Sequence, residues 1–239
     1  MSIKRGEITT KIIKNGLVFN IDAANRASTI PSTSTDKTFN TIDTSVSGSF
    51  INDTFYDSST ISPSFDFDGT DDYIQTNFIK DVTNNFSVFS WINVDSSSNS
   101  KYYILGTREE STSASTSKGF IFLLNSSREV WARIFTTTSN ITQVNAGVVT
   151  NGIWANVAFT YIASSKILKI FRNGVEVGSA TGTAVGVTSP DSMGIGRVAT
   201  GGQYSYFDGN IGPIQIYNRA LSAEEVLYNY NGLKSRFGL

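Results

Sequence analysis

Short runs in which apolar and polar residues alternate constrain the fold of this chain more than any other feature. Leu17, Phe19 and Ile21 stand at every second position, which is the period of a strand with one buried face. Residues 86–94 (FSVFSWINV) are apolar on both faces, which predicts a central strand that is covered on both sides. Asn173-Gly174 separates two further runs and suits the positive φ angles of a type I′ hairpin. Many such segments, separated by Ser-, Asn- and Gly-rich turns, predict an all-β chain.

A single segment, close to the C-terminus, has the pattern of a helix. Ser222-Ala223-Glu224-Glu225 forms a capping box, in which the Ser222 hydroxyl accepts from the Glu225 amide while the Glu225 side chain reaches back. Asn231-Gly232 offers a left-handed stop to this helix. The sequence therefore predicts one short C-terminal helix beside the strands.

Length and composition favour one domain. A chain of 239 residues with 39% hydrophobic residues has the size of a single large β-sandwich and enough apolar surface for a core. We place the domain at residues 17–228, with an N-terminal arm at 1–16 and a C-terminal tail at 229–239. The arm is either a frayed terminus or a contact to a partner protein or a second copy, and the tail is a second candidate for such a contact. The candidate contact residues are Lys4, Arg5, Lys11 and Lys14 in the arm and Arg236 and Phe237 in the tail.

Charge and residue types exclude several functions. Nineteen basic and twenty acidic residues give a formal charge of -1, so no basic field predicts binding to nucleic acid. No run approaches the roughly 20 apolar residues of a membrane span, and Met1–Lys14 lacks the apolar core of a signal peptide. We therefore expect that the protein does not insert into a membrane and that it is made in a cytoplasm. The absence of Cys and His excludes disulfides, thiolate chemistry, Ser-His triads and His/Cys metal sites.

Seven segments in order resemble the laminin-G-like, concanavalin A-like jelly-roll family. They are residues 16–23 (GLVFNIDA), 67–74 (FDGTDDYI), 86–91 (FSVFSW), 154–161 (WANVAFTY), 170–175 (IFRNGV), 195–197 (IGR) and 207–222 (FDGNIGPIQIYNRALS). The resemblance covers about residues 16–228. It implies a two-sheet antiparallel jelly-roll sandwich.

The ending YNYNGLKSRFGL at 228–239 is similar to endings of bacteriophage virion proteins with this fold. That resemblance implies a non-enzymatic structural protein, such as a capsid decoration protein or a tail or fibre subunit, located in the virion and contacting other virion proteins. The alternative is a glycan-binding adhesion lectin that binds a host surface glycan, and the two functions are compatible.

The third hypothesis is a glycan hydrolase, because the same fold includes such enzymes. These enzymes need two carboxylates flanking a sugar cleft, and related hydrolases carry alternating acidic residues on one strand. No such ExDxE pattern occurs among the seven Glu residues. We therefore expect no catalytic residues and no enzymatic activity.

Calcium is the only cofactor that the sequence suggests. The turn at 66–72 offers several carboxylates of the hard kind that calcium binds, although solvated turn carboxylates are the favoured explanation. The candidate ligands are Asp22, Asp66, Asp68, Asp71, Asp72 and Asp208.

Carbohydrate recognition on such folds uses exposed aromatic rings together with amide and carboxylate groups. A glycine-rich segment at 201–206 carries aromatic residues, and half-buried hairpin residues are the alternative explanation. The candidate glycan-binding residues are Tyr102, Tyr103, Gln203, Tyr204 and Tyr206.

Overall fold

The structure is a computed structural model. It describes residues 11–25, 27–28, 37–52, 54–57, 62–80, 82–95, 101–107, 109–110, 119–135, 141–183, 191–198, 200–201 and 206–239. Four of the candidate residues lie outside these ranges, namely Lys4, Arg5, Gln203 and Tyr204.

Eighteen strands, one α-helix and one 3-10 helix make up the described chain. The strands are β1 (Leu17–Ile21), β2 (Lys37–Phe39), β3 (Ser47–Ile51), β4 (Phe55–Asp57), β5 (Ser64–Asp68), β6 (Tyr73–Thr76), β7 (Phe86–Val94), β8 (Lys101–Gly106), β9 (Glu109–Glu110), β10 (Gly119–Asn125), β11 (Glu129–Phe135), β12 (Ile141–Val148), β13 (Ala155–Ile162), β14 (Ile167–Arg172), β15 (Val175–Thr181), β16 (Gly194–Ile195), β17 (Thr200–Gly201) and β18 (Asp208–Tyr217). Helix α1 (Ala223–Leu233) is followed by the 3-10 helix Lys234–Phe237.

Two eight-stranded sheets form the sandwich. The first sheet has the order β15-β14-β13-β7-β18-β5-β4, and β1 also pairs with β18. Strand β5 pairs with residues 208–211 of β18, whereas β1 pairs with residues 214–217. The second sheet has the order β12-β11-β10-β8-β16-β6-β3-β2, and β17 and β9 form a separate parallel pair. All strand pairs within the two large sheets are antiparallel, so the predicted two-sheet antiparallel sandwich is confirmed.

The main core lies between the inner faces of the two sheets. Phe86, Val88 and Ile92 point into it from β7, and Phe120 and Phe122 meet them from β10. Edge-to-face contacts join these rings, since Phe86 and Phe120 both pack against Phe159. Alternation along each strand therefore produces the core that the sequence predicted.

Two local predictions are confirmed. Asn173 and Gly174 have φ angles of 51° and 80° between β14 and β15, as a type I′ turn requires. Ser222 accepts from the Glu225 amide and the Glu225 side chain accepts from the Ser222 amide. These signals act within a few residues, so distant packing does not override them.

The predicted stop at Asn231-Gly232 is wrong, because α1 continues to Leu233. The left-handed glycine lies further on, at Gly238, which ends the 3-10 helix with a φ of 72°. Gly232 instead lies against the Lys11 carbonyl oxygen, so close that a Cβ atom would clash with it. This glycine is therefore required for the close approach of the N-terminal segment.

Residues 229–239 are packed on the sandwich as part of the domain. Phe237 is 5% exposed, and its ring stacks on Trp91 with centroids 4.2 Å apart. Arg236 Nη1 donates to both carboxylate oxygens of Asp22 at 2.8 Å. The prediction that Arg236 and Phe237 are available to a partner is therefore wrong, because both are used inside the fold.

Residues 11–16 also lie on the outer face of the first sheet. Ile12 and Ile13 pack against the apolar residues there. The Ile13 amide donates to Asn229 Oδ1 at 2.8 Å, and the Tyr217 hydroxyl donates to the Ile13 carbonyl at 2.9 Å. Lys11, Lys14 and Asn15 are exposed, so this part of the predicted arm is anchored by its isoleucines and keeps its lysines in solvent.

Candidate functional site

The two ends of the sandwich differ in their charge. At one end β5 and β7 finish and β6 and β18 begin. This end carries five aspartates, Asp68, Asp71, Asp72, Asp95 and Asp208, and we call it the acidic end. At the opposite end β13 and β18 finish and β7 begins.

The turn between β5 and β6 holds three of the carboxylates together. The ligand oxygens of Asp68, Asp71 and Asp72 all lie within 4.8 Å of one another. The Thr70 amide donates to Asp68 Oδ1 at 2.7 Å, and the Asp68 amide donates to Asp72 Oδ2 at 3.1 Å. The first is an Asx bond of the kind that the sequence indicated, and the second closes the turn from its other side. We call these three residues the acidic triad.

Asp208 lies next to the acidic triad. It pairs with Asp68 across β18 and β5, and its side chain packs against the Cα of Gly69, whose φ is 75°. Burial raises the pKa of the Asp95 carboxyl above its ordinary value, and the charge of Asp208 raises it further. Negative charge is therefore concentrated where a cation would relieve the repulsion.

The donor set of the acidic triad suits calcium chemically. Calcium binds six to eight oxygen ligands, mainly from carboxylates and carbonyls, and three carboxylates that converge within one turn supply part of such a shell. Asp22 is not in this group, because Arg236 occupies both of its oxygens. Asp66 is not in it either, since its Oδ1 accepts from Asn210 Nδ2 at 2.7 Å. The prediction that Asp22 and Asp66 belong to one metal site is thus wrong. Asp68, Asp71 and Asp72 converge on one turn, Asp208 lies beside that turn on β18, and calcium binding by these residues stays a prediction.

Two tyrosines and an arginine lie beside the acidic triad, and we call them the tyrosine–arginine cluster. The guanidinium carbon of Arg197 lies 3.8 Å from the centroid of the Tyr73 ring. The Tyr206 ring centroid is 6.3 Å from that of Tyr73. All three side chains are half-buried, so each keeps part of its surface open to solvent.

Glycine at position 196 sets the position of the tyrosine–arginine cluster. Its φ is 79°, and its Cα lies so close to the Phe67 ring that a side chain would clash. The Gly196 amide donates to the Ile104 carbonyl, and the Phe207 amide donates to the Gly196 carbonyl at 2.8 Å. The backbone is therefore held on both sides of the segment that presents Arg197 and Tyr206.

Among the predicted glycan-binding residues that the structure describes, namely Tyr102, Tyr103 and Tyr206, only Tyr206 lies at the surface. Tyr102 and Tyr103 lie in β8 and are 0% and 2% exposed, so the prediction that they present aromatic faces is wrong. Tyr102 points into the main core and Tyr103 packs against Ile121 on the opposite face of the sheet. Tyr73 and Arg197 were missed, although both belong to segments that resemble the family, and Tyr73 directly follows the acidic triad.

The described glutamate side chains are occupied by structural contacts. Glu129 accepts from Asn125, Glu176 pairs with Lys169, and Glu225 binds both terminal nitrogens of Arg219 at 2.7 Å. A hydrogen bond from Ser222 lowers the pKa of the Glu224 carboxyl at the start of α1. None of these four glutamates is placed beside a second carboxylate over a cleft, as glycoside hydrolysis requires.

Among the described helices, none has the length and apolar composition needed to cross a bilayer.

Comparison with known proteins supports the two-sheet fold described above. Residues 68–227 match the sequence profile of a laminin-G type family (Laminin_G_3), described as the concanavalin A-like lectin/glucanases superfamily. A search of curated proteins by sequence gives no significant match.

Solved structures with the same fold include carbohydrate-binding modules and toxin domains. The botulinum neurotoxin serotype D binding domain is 14% identical with a TM-score of 0.67, covering 91% of this chain and 52% of that one. This chain thus spans about half the length of that domain. The carbohydrate-binding module CBM40 of the Ruminococcus gnavus IT-sialidase, bound to α2,3-sialyllactose, is 17% identical with a TM-score of 0.55, covering 69% of this chain and 94% of that one. The Trypanosoma rangeli sialidase is 12% identical with a TM-score of 0.62, covering 92% of this chain and 33% of that one.

Proposed function

This chain belongs to the concanavalin A-like lectin/glucanases superfamily, and we propose on that basis that it is a glycan-binding domain whose tyrosine–arginine cluster contacts the sugar. The observation that carries the proposal is the stack of Arg197 on Tyr73 at 3.8 Å, with Tyr206 beside it at the end of the sandwich. The neighbour that was solved with sialyllactose has the same fold, which supports the sugar class of ligand.

The chemistry of the tyrosine–arginine cluster fits a saccharide. A tyrosine ring offers an apolar face to sugar C–H groups and a hydroxyl for hydrogen bonds. The guanidinium of Arg197 presents several donors in a fixed plane, and its stacking on Tyr73 keeps that plane in place. A surface that is ordered before binding loses less entropy when a flexible sugar docks.

We also propose that the acidic triad holds a calcium ion when the domain binds sugar. The ion would neutralise the mutual repulsion of Asp68, Asp71 and Asp72. These residues directly precede Tyr73, so an acidic triad that is fixed by the ion also fixes the position of the Tyr73 ring, on which Arg197 stacks.

A glycan array with three variants tests the glycan-binding proposal. Tyr73→Ala and Tyr206→Ala each remove one aromatic face, and Arg197→Gln removes the charge while keeping hydrogen-bonding capacity. Tyr228→Ala is the matched control, because Tyr228 is 48% exposed on α1. We expect each of the three variants to lose at least about tenfold in affinity, equivalent to about 1.4 kcal/mol, and the control to bind as wild type. Wild-type binding by all three variants would place the sugar elsewhere.

We further propose a non-enzymatic role as a structural protein of a bacteriophage virion, to which the sandwich contributes adhesion. The occupied glutamates described above favour binding without catalysis. The exposed Lys11 and Lys14, on a segment that Ile12 and Ile13 anchor, favour a protein contact at the N-terminus.

Mass spectrometry of purified particles tests the virion role, and the chain is expected at a fixed ratio to the major coat protein. Its recovery only from the fraction without particles would reject this role. A charge-reversal variant, Lys11→Glu with Lys14→Glu, is expected to fold normally and join particles poorly. Hydrolysis of any bound glycan during prolonged incubation would overturn the non-enzymatic assignment.

A further inference from the structure

Four Asn-Gly pairs occur in the sequence, at 15–16, 151–152, 173–174 and 231–232. In such a pair the glycine nitrogen can attack the side-chain amide of the asparagine, because glycine has no side chain to obstruct the approach. The attack needs an asparagine side chain that can turn towards the next residue. It also needs a glycine amide that is not held in a hydrogen bond. The four pairs differ in both respects.

The side chain of Asn15 is free to turn. Asn15 is exposed and lies in the short connection between the anchored Ile12-Ile13 and β1. Its main-chain carbonyl accepts from Arg219 Nε at 3.0 Å. Its side-chain amide makes no hydrogen bond within the part of the chain that the structure describes. The carbonyl carbon of this side chain is therefore open to attack.

The Gly16 amide is not held either. Gly16 lies in a turn that is closed by a hydrogen bond from the Leu17 amide to the Lys14 carbonyl at 3.1 Å, and its φ of 79° is one that glycine adopts without strain. Its carbonyl accepts from the Asn218 amide at 2.8 Å. The Gly16 amide donates to none of the described residues, so the nitrogen that must attack has no competing partner in the fold.

The pair Asn173-Gly174 is closed on both sides. Asn173 Oδ1 accepts from the Asn156 amide at 2.9 Å, and the Asn173 amide donates to the Asn156 carbonyl at 2.8 Å. Gly174 is buried, and the side chains of Leu227 and Tyr230 pack against it. These contacts must break before the asparagine side chain can turn towards the glycine nitrogen.

The remaining two pairs are held by their backbones. The Gly152 amide donates to the Val94 carbonyl at 2.9 Å, and Asn151 Oδ1 is buried. Asn231 and Gly232 lie within α1, where backbone amides bind the carbonyls four residues before them. Both pairs therefore need a local opening of the fold before they can react.

We propose that Asn15 is a modification site at which the folded chain deamidates, with water as the co-reactant. The Gly16 nitrogen forms a bond to the side-chain carbonyl carbon of Asn15, and the side-chain nitrogen leaves with the Gly16 amide proton as ammonia. One water molecule then opens the resulting succinimide ring. Opening at the side-chain carbonyl yields aspartate, and opening at the main-chain carbonyl yields isoaspartate.

The modification changes the charge of a segment that is exposed and basic. Either product adds a carboxylate beside Lys11 and Lys14, which are both exposed. In isoaspartate, the oxygen that now accepts from Arg219 Nε becomes part of the new carboxylate, and a charged acceptor makes the stronger hydrogen bond to a guanidinium. Isoaspartate also lengthens the main chain by one carbon between the anchored Ile12-Ile13 and β1. The reaction does not depend on the tyrosine–arginine cluster or on glycan binding.

Peptide mapping of the aged full chain tests the proposal. Native protein and protein unfolded in guanidinium chloride are incubated side by side at mildly alkaline pH, digested with pepsin in acid, where the reaction is slow, and analysed by mass spectrometry. We expect Asn15 in the native protein to deamidate at least about tenfold faster than each of the other three asparagines, because those must first break a hydrogen bond or open a helical turn. In the unfolded chain the four pairs should react at similar rates.

Asn15→Gln provides the second measurement, because it keeps an exposed amide but can close only a larger ring, which forms more slowly. The isoaspartate that accumulates in native protein, measured with an isoaspartyl methyltransferase, should be largely lost in this variant. Asn231→Gln is the matched control, since Asn231 is also exposed but lies in α1, and it should accumulate as much isoaspartate as the wild type. Native deamidation of Asn15 no faster than that of Asn173, or a wild-type yield of isoaspartate in Asn15→Gln, would overturn the proposal.

Discussion

Replacing Phe237 by Ala tests whether the C-terminal segment is part of the folded domain. Phe237 is 5% exposed and lies between Trp91 at 4.2 Å and Trp154 at 4.7 Å. Phe→Ala changes at buried positions typically cost about 3–5 kcal/mol. Because Phe237 sits near the chain end, local release of the segment limits the loss, and we expect about 3 kcal/mol.

Urea denaturation measures this loss directly. A cost of 1 kcal/mol lowers the thermal midpoint by roughly 2–4 °C in a domain of this size, so the expected shift is about 6–12 °C. The Phe237→Ala variant should also expose Trp91, which shifts its fluorescence to longer wavelength. The control is Leu239→Ala, since Leu239 is 41% exposed and should change stability by less than about 0.5 kcal/mol. An unchanged denaturation midpoint with unchanged Trp emission would refute the packing of the C-terminal segment.

Three further predictions concern charge. The hydrogen bond from Arg219 lowers the pKa of the Glu225 carboxyl. The stabilising contribution of this carboxylate is therefore present above its ordinary pKa of 4.5 and is lost as the pH falls through the lower pKa of the folded state. In urea titrations, Glu225→Gln should reduce the free energy of unfolding at neutral pH and have little effect in strong acid. Burial raises the pKa of Tyr217 to about 12. The stability that its neutral hydroxyl contributes is therefore complete below pH 10.0, its ordinary pKa, and is lost as the pH rises through about 12. Tyrosinate absorbance should show a late-titrating group that is missing in Tyr217→Phe and retained in Tyr228→Phe. Calcium at roughly 100 times its dissociation constant should stabilise the wild type by about 2.7 kcal/mol and thereby raise its thermal midpoint. Calcium should leave the thermal midpoint of Asp71→Asn unchanged, and a wild-type response in that variant would exclude the acidic triad.

The sequence predicted those parts of the fold that depend on neighbouring residues. The type I′ turn at Asn173-Gly174 and the capping box at Ser222 need only a few positions, and both are present. The sequence also predicted that residues 86–94 are covered on both faces. It did not show that Phe237 supplies that cover over Trp91, because this contact joins segments that are far apart in the chain.

The candidate site divides in the same way. Asp68, Asp71 and Asp72 share one turn, so their convergence could be predicted from spacing alone. Tyr73 and Arg197 meet only because β6 and β16 pair side by side. Tyr103 lies on the outer face of β8, where alternation along the strand predicts a surface residue. Its side chain is buried by Ile121 and Leu123 of the adjacent strand, and the sequence of β8 alone does not show that contact.

Covered outer faces move the available binding surfaces to the ends of the sandwich. Helix α1 and residues 11–16 cover much of the outer face of the first sheet, and a buried apolar cluster around Tyr103 occupies part of the outer face of the second. Strand β18 runs its ten residues from one end to the other, and the tyrosine–arginine cluster lies at the end where this strand begins.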